Sequence, residues 1–415
     1  MEYIPRSIEQ TAKNTAGAFK VLLLTGARQV GKSTLLTHLF DKYRLVSFDD
    51  PIILAQAKQD PHLFFADNRP PLIIDEAQYA PDLFPYLKLA VDAQPDKGRY
   101  LLTGSQQFHM MRDVSETLAG RVGILELPPL SLREIQRIAH AAHFVPTETY
   151  LTSRSETARP IADLWSIIHR GCYPELQDPT VPWEIFFSSY VQTYLERDIN
   201  HLDQVRDRLK FVQFLSALSA RTAQLLNYAN LAAELEISVN TVKNWVSLLE
   251  ATGLVFILRP FSNSALNRAI KTPKLYFRDT GLACYLAGWS TPEAAQRGAM
   301  SGALFETYVV SEILKSFANE GLDYRLRVSY YRGKDKQRRG GETRKSEIDL
   351  IIEENGLLHP IEIKLTANPN AQMATAFEVL DQLPSERRGE GAIVCRYDRV
   401  LTLQEKVRTI PVWYL

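Results

Sequence analysis

An apolar run, Phe19–Lys20–Val21–Leu22–Leu23–Leu24, is followed by Gly26–Ala27–Arg28–Gln29–Val30–Gly31–Lys32–Ser33 and then by Thr34–Leu35–Leu36–Thr37–His38–Leu39–Phe40. The first run is short enough for a buried strand, and the last has apolar residues at helix spacing. The stretch between them fits G-x-x-x-x-G-K-[ST] with no mismatch. Such a strand–loop–helix unit limits the fold more than any other part of the chain. Gly26 and Gly31 let the backbone turn tightly, so that its N–H groups face an anion. The helix after Gly31 adds the positive end of its dipole. Lys32 brings a point charge to the outer phosphates of a nucleotide, and the Ser33 hydroxyl is placed to ligate Mg²⁺. Gly26 to Thr34 are therefore the expected nucleotide-binding residues.

A chain of 415 residues exceeds one hydrophobic core, so two to three domains are expected. The formal net charge is +0, which removes any global electrostatic case for nucleic acid and leaves only a local one. Cys172, Cys284 and Cys395 are scattered without a C-x-x-C pair, against a disulfide framework or a zinc site. Met1–Glu2–Tyr3–Ile4–Pro5–Arg6 does not read as a signal peptide. No apolar run approaches the roughly 20 residues of a membrane span. The expectation is a soluble cytoplasmic protein with no membrane partner.

To about Gln136, strand-like runs alternate with helical ones, the pattern of an α/β sheet. Arg44–Phe48 is one strand, and Pro71–Leu72–Ile73–Ile74–Asp75–Glu76 is another that ends in two acids. Asp75 would hold Mg²⁺ and Glu76 would polarise the attacking water, because phosphoryl transfer needs a positioned nucleophile more than covalent chemistry. Arg99–Leu102 leads into Thr103–Gly104–Ser105–Gln106. There a polar group is expected near the γ-phosphate, Ser105 first, with Thr103 and Gln106 behind it. Arg112 and Arg121 flank the next short helical stretch. Either is a candidate arginine finger on a neighbouring subunit's ATP, where a cation offsets transition-state charge.

The segments GARQVGKST, LIIDEAQYAP, LLTGSQ and LAGRVGILELPPLSLREI resemble the AAA-type ATPase domain of a large group of prokaryotic proteins that carry a DUF4143-type C-terminal region. YVQTYLERDI and LYFRDTGLACYL look like signatures of the same group, so the resemblance covers most of the chain. It implies an AAA+ core rather than a kinase or GTPase, and no guanine-selecting N-K-x-D motif is present.

In the middle, Ile161–Ile168 and Phe186–Ile199 read as helices. Residues 228–258 read as a winged helix-turn-helix, with Tyr228–Leu235 as its first helix and Asn240–Glu250 as its second. Val242, Trp245, Val246 and Leu249 share one face of the second helix. Asn240, Lys243, Asn244 and Ser247 are left outward, where a recognition helix places its DNA-contacting groups. Leu254–Leu258 and Lys274–Phe277 would be wing strands. Arg259, Arg268, Lys271 and Lys274 beside them form a basic wing suited to phosphate. Asp279 is the expected N-cap of the helix that follows.

Toward the C-terminus, Gly302–Ala318 reads as an amphipathic helix containing Glu306, and Tyr324–Tyr331 as a strand. Residues 332–345 carry the densest positive charge of the chain, with Arg338 and Arg339 at its centre, and are expected as a mobile loop that contacts DNA. Glu347–Ile352 and His359–Leu365 are two further strands. Glu362 and Lys364 point to one side, because strand side chains repeat every two residues. Asp349, Glu362-x-Lys364 and Glu306 together resemble the PD-(D/E)xK nuclease core, which implies a metal held by the carboxylates and a lysine that steadies the reacting phosphate.

The expected architecture is multi-domain α/β. A P-loop AAA+ parallel sheet occupies 1–136, a helical lid or linker 137–205, a winged helix-turn-helix 206–294, and a restriction-endonuclease-like α/β domain 295–415. The expected activity is Mg²⁺-dependent ATP hydrolysis by an oligomer or ring that remodels duplex or branched DNA. The alternatives are an ATP-gated binding switch without motor action, a metal-dependent nuclease regulated by its ATPase, and a C-terminal module that docks protein.

Overall fold

Val21–Thr25 forms strand β1, and every residue of it is buried. A strand with no exposed face needs partners on both edges and a layer on each face. It pairs in parallel with β4 (Tyr100–Gly104) on one edge and β5 (Val122–Glu126) on the other. β2 (Arg44–Ser47) and β3 (Leu72–Asp75) extend the sheet, whose order is β2-β3-β4-β1-β5, all parallel. β4 thus stands between the strand that leads into the phosphate loop and the strand that ends in Asp75. The computed structural model describes residues 2–104, 114, 116–194, 207–261, 272–333, 336–337, 343–344, 347–382 and 387–415.

A helical middle follows. The Ile161 stretch becomes helical only at Leu164, because the Asp163 side chain accepts the Ser166 N–H at 3.0 Å and caps the helix there. Trp183–Tyr194 is the described part of the YVQTYLERDI helix. Helices Tyr228–Leu235 and Val239–Ala251 are capped by Asn227 and Ser238 and pack beside a small sheet. Its strands β6 (Gln224–Leu225), β7 (Val255–Leu258) and β8 (Lys274–Phe277) run in the order β6-β8-β7. Val242, Trp245, Val246 and Leu249 are buried, while Asn240, Lys243, Asn244 and Ser247 are exposed, as their spacing predicts.

The C-terminal sheet is mixed. β9 (Val328–Arg332), β12 (Glu347–Glu354), β13 (Leu357–Ile363), β14 (Gly391–Cys395), β15 (Leu401–Gln404) and β16 (Val407–Pro411) take the order β15-β16-β14-β13-β12-β9. Strand structure begins at Val328 rather than Tyr324, because Asp323 accepts the Arg325 N–H at 3.0 Å and closes a 3₁₀ turn over Tyr324–Leu326. The basic stretch is not wholly a loop. β10 (Lys336–Gln337) pairs antiparallel with β11 (Thr343–Arg344), while Arg338 and Arg339 lie outside the described residues.

One apolar core runs through all of these parts. It includes Leu24 and Leu36 of the first sheet, Trp245 and Leu275 of the middle and Leu350 and Ile361 of the last sheet. The helix Ser301–Asn319 passes through it, and Leu304, Phe305 and every residue from Thr307 to Asn319 are buried. Its Glu312 accepts the Leu132 N–H at 2.8 Å, and its Lys315 donates to Leu130 O at 2.9 Å and to Glu312 at 2.7 Å. Removing one partner of a buried pair strands the other charge at a cost of about 3–5 kcal/mol. Lys315→Met is therefore expected to lower the thermal unfolding midpoint of the full chain by that loss, whereas exposed Lys243→Met leaves it unchanged in the same melt.

Candidate active site

Four stretches distant in sequence meet at the C-terminal ends of the parallel strands. β1 runs into Gly26, where φ is 148° and an added Cβ would lie 2.3 Å from Leu127 O. Gly31 has φ 92° and turns the loop into the helix Lys32–Leu39. The loop is braced from behind by Arg6, which the sequence reading did not single out. Its guanidinium donates to Val30 O at 2.8 Å and Pro128 O at 2.6 Å, and pairs with Glu134 at 3.1 Å. Glu134 belongs to the LSLREI run, where it closes a capping box with Ser131. No local signal marks Arg6, because all three of these guanidinium tethers are long-range.

Lys32 is buried, and its ammonium donates to Gly26 O at 3.1 Å and Ala27 O at 2.9 Å. Ser33 Oγ donates to Asp75 Oδ1 at 2.5 Å. The Thr103 hydroxyl reaches the same carboxylate oxygen, and accepts the Glu76 N–H at 3.2 Å. The sequence points first to Ser105 for this polar position, with Thr103 and Gln106 behind it. The contact described is made by Thr103, because β4 lies directly against β3 and Thr103 is its last side chain before Gly104. Ser105, Gln106 and Arg112 lie outside the described residues. Glu76 takes φ 56°, a left-handed conformation that costs a non-glycine residue about 1–3 kcal/mol and persists where surrounding structure enforces it. Its carboxylate accepts the Gln78 side-chain amide.

Arg28, Gln29, Gly31, Lys32, Ser33, Thr34 and Glu76 line a cavity of about 450 Å³. Tyr190 and Thr193 complete its wall, so the helix of the YVQTYLERDI run stands over the phosphate loop. Their i, i+3 spacing, which puts both on one helix face, was the available signal. A second cavity of about 490 Å³ shares Gln29, Gly31 and Thr34 and is lined by Tyr3, Ile4, Leu130 and Pro174. Ser33 and Asp75 form a hard-oxygen pair that fits Mg²⁺. Arg121 lies at the opposite end of the sheet, just before β5, where both of its prongs hold Asp92 at 2.7 and 2.8 Å. A role for Arg121 on a neighbour's nucleotide would require that pair to break.

A second cluster lies where the middle sheet meets the C-terminal sheet. Glu306, Asp349, Glu362 and Lys364 converge, as their pattern predicts. A bulge in β12 against β9 falls at Asp349 and Leu350 and re-aims the aspartate. Asp349 accepts the Ile363 N–H at 3.0 Å and lies 3.5 Å from Lys364, which pairs with Glu362 at 2.6 Å. Burial, with Asp349 adding to it, pushes the Glu306 carboxyl up to about 7 and the Glu362 carboxyl up to about 8. Glu362 Oε2 is buried with no hydrogen-bond partner among the described residues.

One member of the expected basic wing is elsewhere. Lys274 is 3% exposed, and its ammonium lies 2.7 Å from Glu347, 3.3 Å from Glu306 and 3.5 Å from Asp349. Burial alone would depress the ammonium, but Glu306, Asp349 and Glu347 outweigh it and hold Lys274 above the usual lysine range. Lys274 is therefore not a surface phosphate contact. Its alternation with Tyr276, whose hydroxyl donates to Glu306 at 2.7 Å, puts both on the inner side of β8. Arg268 and Lys271 lie outside the described residues.

Residues 18–136 match the AAA domain family (AAA_14), 161–293 a domain of unknown function (DUF8612), and 301–415 another (DUF4143). The middle match spans both segments that the sequence reading separates at 205. Among curated proteins, the uncharacterized protein Rv2008c of Mycobacterium tuberculosis is 28% identical over 367 residues, covering 87% of this chain and 74% of its own. The uncharacterized protein Mb2031c of Mycobacterium bovis gives the same figures. Among solved structures, the Walker-type ATPase PABY2304 of Pyrococcus abyssi has a TM-score of 0.37 at 16% identity, covering 68% of this chain and 94% of that one. A STAND-type signal transduction ATPase of Pyrococcus horikoshii, PH0952, has a TM-score of 0.25 at 12% identity, covering 76% of this chain and 47% of its own. Likenesses that distant carry no argument about this chain.

The Thr103 hydroxyl serves Asp75 and Glu76 at once. Thr103→Val keeps the shape but strands the Glu76 N–H, a loss of about 1–3 kcal/mol, so ATP turnover is expected to fall roughly ten- to hundredfold in a phosphate-release assay with nucleotide binding retained. The fold and the matched families agree on what the loop, the paired acids and the inserted strand compose: the chain carries an AAA domain of the P-loop ATPase type, joined to a C-terminal DUF4143 region.

Proposed function

We propose that the protein is a Mg²⁺-dependent ATP hydrolase that assembles into an oligomer and uses turnover to remodel duplex or branched DNA. The observation that carries the hydrolase reading is the Ser33–Asp75–Thr103 contact under the glycine-rich loop, with Glu76 joined to it through its backbone. Mg²⁺ held by Ser33 and Asp75 would neutralise charge on the outer phosphates. Lys32, turned from its own loop carbonyls, adds a further positive charge there. Glu76 orients the attacking water, and Thr103 fixes Asp75 and Glu76 relative to each other. Tyr190 and Thr193 cover the phosphates from the helix above, and the cavity beside Tyr3, Ile4, Leu130 and Pro174 suits an apolar base.

The DNA reading is supported by the helix pair with its three-stranded sheet, read as a winged helix-turn-helix, and by the exposed Asn240, Lys243, Asn244 and Ser247. The acids of the preceding helix region do not oppose it. Glu234 is paired with Arg221, and Glu236 with Lys210. Arg338, Arg339, Arg268 and Lys271 would add phosphate contacts. An arginine from a neighbouring subunit, Arg112 or Arg121, would couple assembly to turnover.

The core that runs through the first, middle and last parts of the chain favours a second reading, an ATP-gated binding switch in which nucleotide changes affinity without strand movement. Strand displacement coupled to multiple turnovers separates the two.

Glu76→Gln is expected to retain nucleotide and stop hydrolysis, and Lys32→Ala to lose binding. A Glu76→Gln protein with normal turnover would remove Glu76 as the water-orienting group. The DNA reading is tested by ATPase rates and binding at low salt with linear and branched DNA. Absence of both stimulation and binding would remove it. Lys243→Ala is expected to weaken binding on all sequences alike and to flatten the salt slope by about one unit.

A further inference from the structure

Asp349, Glu362, Lys364 and Glu306 compose the pattern from which a metal-dependent nuclease was an expected alternative. A divalent cation in such a site needs carboxylate oxygens free to turn toward one point, with hard-oxygen ligands close around it. The structure fills that point with something else. Lys274 reaches in from β8, a strand of the neighbouring sheet, and places its ammonium 2.7 Å from Glu347, 3.3 Å from Glu306 and 3.5 Å from Asp349. An ammonium has three N–H donors, and here three carboxylates face it. It also stands 5.6 Å over the Tyr330 ring. Tyr276, two residues along the same strand, donates at 2.7 Å to the same Glu306 oxygen, Oε1, that Lys274 reaches.

The other two members of the pattern are engaged as well. Lys364 holds Glu362 at 2.6 Å and lies 3.5 Å from Asp349, whose Oδ2 also takes the Ile363 N–H. Among the described residues, no group of three or more His, Cys, Asp or Glu side chains is placed to hold a metal ion. The attachment that delivers Lys274 is itself built in. The chain following β7 lies along the β9 edge, with Phe261 N–H on Tyr330 O at 2.6 Å and Tyr330 N–H on Arg259 O at 3.2 Å. The Tyr330 hydroxyl bonds Thr272 O, two residues before Lys274. An ordinary surface lysine on a wing has no such set of contacts to carry it inward.

We infer that the Lys274 ammonium is the resident cation of this carboxylate cluster, so that the C-terminal domain takes up no divalent ion there and cleaves no phosphodiester bond. The lysine does by charge what a metal would otherwise do. It allows Glu306, Glu347 and Asp349 to be packed together, and it ties the middle sheet to the C-terminal one. Burying several carboxylates without a counter-charge is costly, and a lysine fixed in the covalent chain supplies that charge at no dependence on free ion concentration.

The test is a Mn²⁺ titration of the nucleotide-free full chain followed by electron paramagnetic resonance. Wild type and Asp349→Asn are expected to take up the same amount of Mn²⁺. Lys274→Met is expected to take up one further ion per chain, lost again in Lys274→Met/Asp349→Asn. Incubation of wild type with supercoiled and single-stranded DNA in Mg²⁺ or Mn²⁺ is expected to give no cutting that Asp349→Asn abolishes. Wild-type uptake that disappears in Asp349→Asn, for instance an ion held by Asp349 and the unpartnered Glu362 oxygen, would overturn the inference. So would metal-dependent cutting that Asp349→Asn removes, or a folded Lys274→Met that gains no ion. Should Lys274→Met fail to fold, the comparison of wild type with Asp349→Asn decides the matter alone. None of these readings uses ATP turnover, so they stand or fall apart from the hydrolase proposal.

Discussion

The buried helix Ser301–Asn319 is the member on which the other parts are hung. A helix covered on all sides is ordinarily apolar all round. This one instead carries Thr307, Ser311, Glu312, Lys315 and Ser316 inside the core, joined between them to four other segments of the chain. Thr307 meets Thr222, Ser311 donates to Arg278 O, and Ser316 accepts the Phe144 N–H. Glu312 and Lys315 hold Leu132 and Leu130, just beyond the last strand of the ATPase sheet. Buried polar groups must be satisfied, so each of these bonds fixes a rotation and a register that apolar packing alone would leave loose. The C-terminal region is thereby not a tethered accessory. Its helix is part of the interior of the whole chain.

That arrangement reaches the phosphate site by short steps. Leu130 and Leu132 flank Ser131, the N-cap whose capping box includes Glu134. Glu134 holds Arg6, and Arg6 holds Val30 in the loop. On β5, Glu126 accepts from Tyr324 at 2.9 Å and pairs with Arg278 and Arg325, linking the strand beside β1 to the residue that follows β8 and to the 3₁₀ turn that precedes β9. Burial works against the Glu126 charge, but the two arginines outweigh it and keep its carboxyl below the ordinary range. Charged contacts thus join the phosphate loop and its sheet to the middle and C-terminal parts of the chain.

Much of this was legible locally. The phosphate loop, the Asp75–Glu76 strand end and the outward residues of Val239–Ala251 are set by spacing within one element, and the structure places them where spacing says. Boundaries were less so. The Ile161 stretch and the Tyr324 stretch begin later as helix and strand than apolar content suggests, because Asp163 and Asp323 bond the backbone locally and turn it first. Lys274 was misread for a different reason. Its neighbours in sequence are basic, but its neighbours in space are Glu306, Glu347 and Asp349, the nearest of them 32 residues away.

The sequence by itself determined the chemistry available at the nucleotide site, because a glycine-rich turn, a lysine, a hydroxyl and a strand-end acid pair are each specified by residues a few positions apart. Alternation along a strand also put Glu362 and Lys364 on one side, and the resemblance to a nuclease core added Asp349 and Glu306 to them. Only the tertiary structure decided that the Thr103 hydroxyl joins that of Ser33 on Asp75, that Arg6 braces the loop, and that a lysine from another sheet stands among the carboxylates. Those outcomes depend on which strand is inserted beside which, and on a buried charge finding its partner across the core. Neither is encoded in any short window of the chain.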